Sequence, residues 1–244
     1  MKKLRTVVQY ECVTSFKYIW IFYAVVFAVI AVISAIIFLV EGSLELVGTN
    51  CLEVNSLVYV GILGALGFKE DFRMLIQNGF TRTYIFLATL SLFGFVAGIL
   101  ALVDTIVGRG LHTLLPGGYD SVFGALYGYQ YSPVLNWLWL FLVYLTVCCL
   151  FYLAILVINR LGKVSSLTLG IVLAMVIVLV LPVVFRFLLP GRVTEQIRRF
   201  LMGAMGFPRG GEVNLLFPIL FFMAVFLLLG TASYLVIRRA ELKA

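Results

Sequence analysis

Few side chains in this sequence are of the types that carry out chemistry. There is one histidine, His112, and there are four cysteines: Cys12, Cys51, Cys148 and Cys149. The cysteines form no C-x-x-C pair, so their spacing indicates neither a zinc site nor a redox centre. The adjacent Cys148 and Cys149 lie in an apolar run, where we expect two small buried residues. Because a single histidine cannot build a multi-histidine site, the sequence predicts no metal and no cofactor.

The motifs of the common enzyme classes are also missing from the sequence. It contains no G-x-x-x-x-G-K-[S/T] segment, so we expect no ATP binding through a P-loop of its own. No long apolar stretch has an acidic or basic residue near its centre, and Asp104 follows the end of one of them. A proton- or sodium-driven pump usually needs such a group, and a membrane hydrolase needs a nucleophile and a base. We therefore expect a chain that is not an enzyme.

The composition is that of a membrane protein. Hydrophobic residues make up 63% of the 244 residues and charged residues 12%, whereas soluble domains average about 25% charged residues. Six apolar stretches approach or exceed the roughly 20 residues of a membrane-spanning helix. They cover residues 18–40, 54–68, 84–103, 134–158, 164–184 and 215–237. The sequence predicts an all-α, multi-pass protein with one transmembrane domain over residues 1–244, and the stretch 54–68 is its shortest span.

Charge predicts the orientation of these spans. With both termini inside, most of the 18 Lys and Arg residues fall in inner segments, and the first outer loop carries Glu41, Glu45 and Glu53 but no base. The positive-inside rule therefore favours cytoplasmic termini, which we expect in a bacterial-type cell membrane. Inner loops beside anionic lipid account for most of the net charge of +7. The charge thus predicts a lipid partner and no nucleic-acid partner.

The inner segment 69–83 has the pattern of a short amphipathic helix. Its apolar face follows the spacing i, i+3, i+4 and i+7, with Phe72, Leu75, Ile76 and Gly79. Glu70 and Asp71 lie near its start, where the helix dipole favours acids. Gly79 suits a left-handed position after the last helical residue. The pattern fits either an ordinary interfacial loop helix or a docking element for a cytoplasmic partner.

Two short apolar spans joined by the run D-F-R-x-L-I-x-N-G-x-x-R-x-x-I-F, from Asp71 to Phe86, resemble the membrane (permease) subunits of ABC type-2 exporters. In that family a cytoplasmic segment between spans 2 and 3 forms the coupling helix that fits a cleft in the ATPase. The resemblance assigns this role to Glu70, Asp71, Phe72, Leu75, Gly79 and Arg82. The six-span layout, the N-terminal segment and the long last outer loop agree with the family over nearly the whole chain.

The resemblance implies partners and an energy source. A separate cytoplasmic ATP-binding-cassette ATPase would supply the energy. Six spans are half of a twelve-span exporter, so a second copy or a paralogue would complete a path near spans 1, 2 and 5. An uncharged path suits an amphipathic or hydrophobic peptide, drug or lipid. The alternative is a membrane substrate-binding or receptor subunit without its own conduit, and the sequence leaves it open.

Two further segments are amphipathic. Residues 1–16 fit the N-terminal interfacial helix that the resemblance implies. Before the last span, the segment between Pro190-Gly191 and Pro208 has one apolar and one charged side, which predicts a short helix on the outer leaflet. We hypothesise that its arginines Arg192, Arg198 and Arg199 contact lipid headgroups or an anionic cargo group. The alternative is that they are simply solvated.

The remaining signals concern packing. Small residues recur in spans 2 and 3, where they allow close helix approach within the chain or at a dimer interface. They are Gly61, Gly64, Gly67, Gly94 and Gly98. Residues 121–129 are expected to form a short interfacial helix, and His112 is expected in the loop before it.

Overall fold

The computed structural model describes residues 2–41, 52–66, 75–77, 79–114, 119–161, 190–207 and 213–238, with single positions between 165 and 175. This part of the chain is helical and contains no strand. Its main helices are α1 (Lys2–Glu41), α2 (Leu52–Leu66), α3 (Arg82–Leu114), α4 (Val122–Tyr127), α5 (Pro133–Leu161), α6 (Gly191–Ala204) and α7 (Leu216–Arg238). The predicted all-α class is confirmed for these residues.

Four helices, α1, α3, α5 and α7, are long and apolar enough to cross a membrane. They contain the predicted spans 18–40, 84–103 and 134–158 and nearly all of 215–237. A continuous helix satisfies its own backbone hydrogen bonds, which lipid cannot do. α2 has 15 residues, or about 22 Å, against a hydrocarbon thickness of about 30 Å. The span 54–68 stays a prediction, and 164–184 lies outside the described residues except for a few helical positions.

Helix α5 is the centre of the bundle, because it packs against α2, α3 and α7. In the most apolar windows of α3 and α5, 50% and 44% of the residues are buried inside the chain. The corresponding shares are 6% in α1 and 11% in α7. The core therefore lies around α3 and α5, whereas α1 and α7 present apolar surface to lipid or to another chain.

Helix α1 differs from the prediction at its beginning. A separate interfacial helix over residues 1–16 was expected, but α1 runs without a break from Lys2 to Glu41. Its 40 residues extend about 60 Å. The physical reason is that no glycine or proline interrupts this stretch, so nothing in the sequence ends a helix before span 1.

The predicted outer segments meet at one end of the bundle. The Tyr127 hydroxyl donates to the Met205 carbonyl over 3.0 Å, and the Tyr131 hydroxyl donates to the Val213 carbonyl over 3.3 Å. The short helix expected at 121–129 is present as α4, where the Ser121 side chain accepts from the Gly124 N–H. Leu126 of α4 is 45% exposed, whereas Phe123 and Tyr127 are buried. Their rings pack against Trp139 of α5.

The glycines of α2 mark its closest contact with α5. A Cβ atom added at Gly64 would lie 2.5 Å from the Cys148 carbonyl oxygen and 3.1 Å from the Cys148 Cα. Gly94 of α3 has no atom within 4 Å of such a Cβ. The predicted close approach is therefore an intrachain contact at Gly64. Cys148 and Cys149 are buried, as expected.

We predict that Gly64→Ala destabilises the bundle. The new methyl group would collide with the backbone of Cys148, and only a separation of α2 from α5 would relieve that collision. The expected loss is about 1–3 kcal/mol. Gly94→Ala is the matched control and should leave stability unchanged or slightly higher. Thermal unfolding of the purified chain in detergent measures both, and an equal midpoint for the two variants would contradict the contact.

Candidate functional site

A buried carboxylate joins three helices. Asp104 of α3 is fully buried and lies about 33 Å along the helix from Arg82. The Tyr23 hydroxyl of α1 donates to its Oδ1 over 2.8 Å, and the Tyr144 hydroxyl of α5 donates to its Oδ2 over 2.5 Å. Hydrogen bonds to a charged acceptor are roughly twice as strong as neutral ones. This group therefore holds α1, α3 and α5 together at one point.

A second carboxylate lies beside the first. Glu53, in the first turn of α2, is 1% exposed. Within the described part of the chain neither of its carboxylate oxygens makes a hydrogen bond. The Tyr119 hydroxyl, the Val122 backbone N–H and the Asp104 carboxylate lie close enough to interact with it electrostatically. None of these groups carries a positive charge that could neutralise a glutamate anion.

Ser56 completes the polar cluster. It lies one helical turn after Glu53 and is fully buried. Its hydroxyl lies beside the Asp104 carboxylate and the Tyr23 hydroxyl. It reaches neither with good hydrogen-bond geometry, so its oxygen has no partner among the described residues. Five helix or loop segments thus direct oxygen atoms towards one small volume, which we call the acid–hydroxyl cluster (Tyr23, Glu53, Ser56, Asp104, Tyr119 and Tyr144).

The acid–hydroxyl cluster corrects two expectations from the sequence. Glu53 was placed in the first outer loop and Asp104 at the end of a span, so no buried carboxylate was expected. The structure buries both side chains. The physical reason is that α3 continues for about three turns beyond Val103, while phenols from other helices satisfy Asp104. The sequence does contain one indication of the longer helix, because no proline occurs between Arg82 and Leu114.

His112 lies in the last turns of α3 and not in a loop as expected. Its Nδ1 is 3.2 Å from the Tyr119 carbonyl oxygen and 3.5 Å from the Asp120 carboxylate. Its ring stacks on that of Tyr129 at 3.5 Å. These contacts account for a packing role. Among the described residues, no group of three or more His, Cys, Asp or Glu residues is placed to hold a metal ion.

The inner segment that precedes α3 ends in the predicted glycine turn. Residues 75–77 are helical, and Gly79 has a φ of 76°. The Gly79 N–H donates to the Ile76 carbonyl over 2.9 Å, and the Phe80 N–H donates to the Leu75 carbonyl over 3.0 Å. This pair of bonds is the Schellman motif, which a left-handed residue makes possible. The predicted helix stop at Gly79 is confirmed.

The turn is attached to the bundle on both sides. Leu75 is 3% exposed and belongs to the hydrophobic core. Arg82 Nη1 donates to the Arg238 carbonyl at the end of α7 over 2.8 Å. The ring of Tyr234 in α7 lies 5.4 Å from that of Phe86. Movement of this turn would therefore be transmitted directly to α3 and α7.

The six residues proposed for the coupling helix are described only in part. Leu75, Gly79 and Arg82 lie in or beside the glycine turn. Glu70, Asp71 and Phe72 lie outside the described residues. Leu75 faces the core of its own chain, so its role within the chain is to anchor the turn. The contact with an ATPase stays a prediction.

The outer segment forms the expected amphipathic helix, α6, and none of its residues is buried. Phe200 is 68% exposed, so its apolar side is uncovered within the chain. Arg198 and Arg199 each place Nε 2.8 Å from the Glu195 carboxylate, whereas Arg192 is exposed at the start of the helix. Hydrogen bonds from Arg198 and then Arg199 lower the pKa of Glu195 to about 2. Glu195 is therefore ionised at neutral pH and can pair with both arginines.

The fold defines the class of protein: a helical protein whose described residues include four helices long and apolar enough to span a membrane. Comparison of the chain with models of known protein families, with curated proteins and with solved structures gives no match. The function is therefore argued from the residues and contacts above.

We predict that Tyr144→Phe and Tyr23→Phe each destabilise the chain. Each variant removes one hydroxyl donor from the buried Asp104 carboxylate, which costs about 1–3 kcal/mol. Tyr18→Phe is the matched control on α1, because Tyr18 is 57% exposed. Thermal unfolding in detergent is the measurement. A midpoint as high in Tyr144→Phe as in Tyr18→Phe would show that Asp104 does not depend on this bond.

We predict that the α6 arginines respond to anionic lipid. Addition of phosphatidylglycerol to the purified chain should raise its unfolding temperature more than phosphatidylcholine does, because the headgroup charge complements Arg192, Arg198 and Arg199. The triple variant with glutamate at these positions should lose the difference. The test is valid at pH 7, where Glu195 is ionised in the wild type. The same preference in the triple variant would contradict headgroup contact.

Proposed function

We propose that this chain is the permease subunit of an ABC-type exporter, driven by a separate cytoplasmic ATPase. The observation that supports the proposal is the attachment of the glycine turn through Leu75 to the core and through an Arg82 hydrogen bond to the end of α7. A membrane subunit powered by a separate ATPase would receive force through such a segment. A turn that contacts two apolar helices suits that task.

In this proposal, force would pass from the glycine turn into α3 and α7. The glycine turn leads into α3 at Thr81, where the Ile85 N–H donates to the Thr81 carbonyl over 3.0 Å. An ATPase that pushed on the segment before Gly79 would displace the start of α3. Because Arg82 holds the end of α7, the two helices would move together. In this proposal, that movement opens or closes a path for the cargo.

The exposed apolar surfaces support a second permease copy or a paralogue. Along the outer half of α1 large apolar side chains lie at the surface of the single chain: Val25, Val29, Val32, Ile33 and Ile36. Lipid covers such a surface in part, and a half-size permease needs one face for its partner. If two such apolar faces enclosed a path, that path would suit an amphipathic or hydrophobic cargo such as a peptide, drug or lipid.

We predict that the tagged chain, purified from membranes of its own host, carries an ABC ATPase in stoichiometric amount. Asp71→Arg reverses the charge at the start of the segment, and Gly79→Val forces a β-branched residue into φ of 76°. Both should reduce ATPase recovery by about tenfold or more, which corresponds to about 1.4 kcal/mol of binding energy. Quantitative mass spectrometry of the purified complex is the measurement.

Gly110→Val is the control for this experiment, because no atom lies within 4 Å of a Cβ added there and its backbone is helical. It should recover as much ATPase as the wild type. Undiminished recovery with both test variants would reject the coupling role. A wild-type chain that is monomeric and free of ATPase would favour a substrate-binding subunit instead.

A further inference from the structure

We propose that Glu53, Ser56 and Asp104 form a binding site for one small cation, either a proton or a monovalent metal ion such as Na⁺. The site lies where α2 meets α1, α3 and α5. It does not depend on the exporter proposal, because it follows from burial and charge alone.

The first argument is electrostatic. The Asp104 carboxylate accepts two short hydrogen bonds from phenols, and such bonds stabilise its ionised form. Glu53 is equally buried, but among the described residues no donor reaches its carboxylate oxygens with good hydrogen-bond geometry, although the Tyr119 hydroxyl and the Val122 N–H lie near them. A second uncompensated anion in an apolar interior costs several kcal/mol and repels the first. One positive charge bound at Glu53 would remove both costs.

The second argument is the chemistry of the available ligands. Glu53 offers two carboxylate oxygens without partners, and Ser56 offers a fully buried hydroxyl oxygen that is also without a partner among the described residues. Oxygen atoms of this kind bind protons and hard cations. The Ser56 hydroxyl lies beside Asp104, so the free oxygens and the satisfied carboxylate belong to one site.

The charge of the ligand follows from the groups around the site. Tyr23 faces it from α1, Tyr144 from α5 and Tyr119 from the segment before α4. All three are phenols, and Tyr23 and Tyr144 donate to Asp104 in their neutral form. Arg109 of α3 instead directs its guanidinium to the Tyr131 carbonyl. One positive charge at Glu53 would thus leave Asp104 as the one acid of the cluster without a bound cation, and its two phenol donors stabilise its ionised form.

The test measures thermal unfolding of the full chain in detergent between pH 5 and pH 9, in NaCl, KCl or choline chloride at equal ionic strength. If a proton is the ligand, the midpoint falls as the pH rises and the salts are equivalent. If Na⁺ or K⁺ is the ligand, that salt restores the midpoint at high pH by about 2–4 °C or more. Either result supports a cation site if the pH or salt dependence is lost in Glu53→Gln.

The variants distinguish this site from a general pH effect. Glu53→Gln replaces the carboxylate with a neutral amide of the same shape, and it should abolish the dependence and raise the midpoint at pH 9. Glu11→Gln is the control, because Glu11 lies on α1 about 18 Å along the helix from Tyr23. It should behave as the wild type. Equal pH and salt dependence in the wild type and Glu53→Gln would overturn the proposal.

A further variant keeps the proposal testable if Glu53→Gln does not fold. Ser56→Ala removes one oxygen ligand and leaves both carboxylates in place. It should shift the midpoint of the pH or Na⁺ titration by about threefold or more in cation concentration, or about 0.7 kcal/mol. An unshifted midpoint in Ser56→Ala would also overturn the site, since its hydroxyl would then not contact the cation.

Discussion

The hydrogen bonds from Tyr23 and Tyr144 to the Asp104 carboxylate set the arrangement of this bundle. Lipid tails give helices little hydrophobic reason to associate, so contacts between them depend on packing and polar bonds. Helix α1 is the clearest case, because only 6% of its most apolar window is buried inside the chain. Among its described side chains, Ile19 and Tyr23 are the buried hydrophobic ones. The Tyr23 hydroxyl therefore links α1 to α3 by a polar bond at one of the few buried positions of α1.

The two ends of the bundle differ in what they connect. At one end, Arg82 joins the start of α3 to the end of α7, and the glycine turn leads directly into that joint. At the other end, α4 and the segment after α6 pack over α5 through Trp139 and Tyr127. The acid–hydroxyl cluster lies in the second half of α3. A movement that begins at the glycine turn would therefore reach the cluster along α3, which is the helix common to both.

The two proposals rest on different physical grounds. The exporter role combines the residue pattern of the inner segment with the firm attachment of the turn, and it requires partners outside this chain. The cation site requires only the described residues, since two carboxylates share an apolar interior and one of them lacks a hydrogen bond. A bound cation would neutralise Glu53 at the junction of α2 with the other helices. The packing of α2 would then depend on the occupancy of that site.

The sequence alone predicted the membrane class, four of the apolar spans that the described helices contain, the stop at Gly79 and the amphipathic helix α6, because each depends on local composition and spacing. It did not determine where α1 and α3 end, since neither helix contains a proline and the glycines of α3 do not interrupt it. The acid–hydroxyl cluster was decided only by the tertiary structure. Glu53 and Asp104 are 51 residues apart, and nothing local to either predicts that Tyr23, Tyr119 and Tyr144 surround them. Burial of a charge is a property of the assembled helices, and a linear pattern does not contain it.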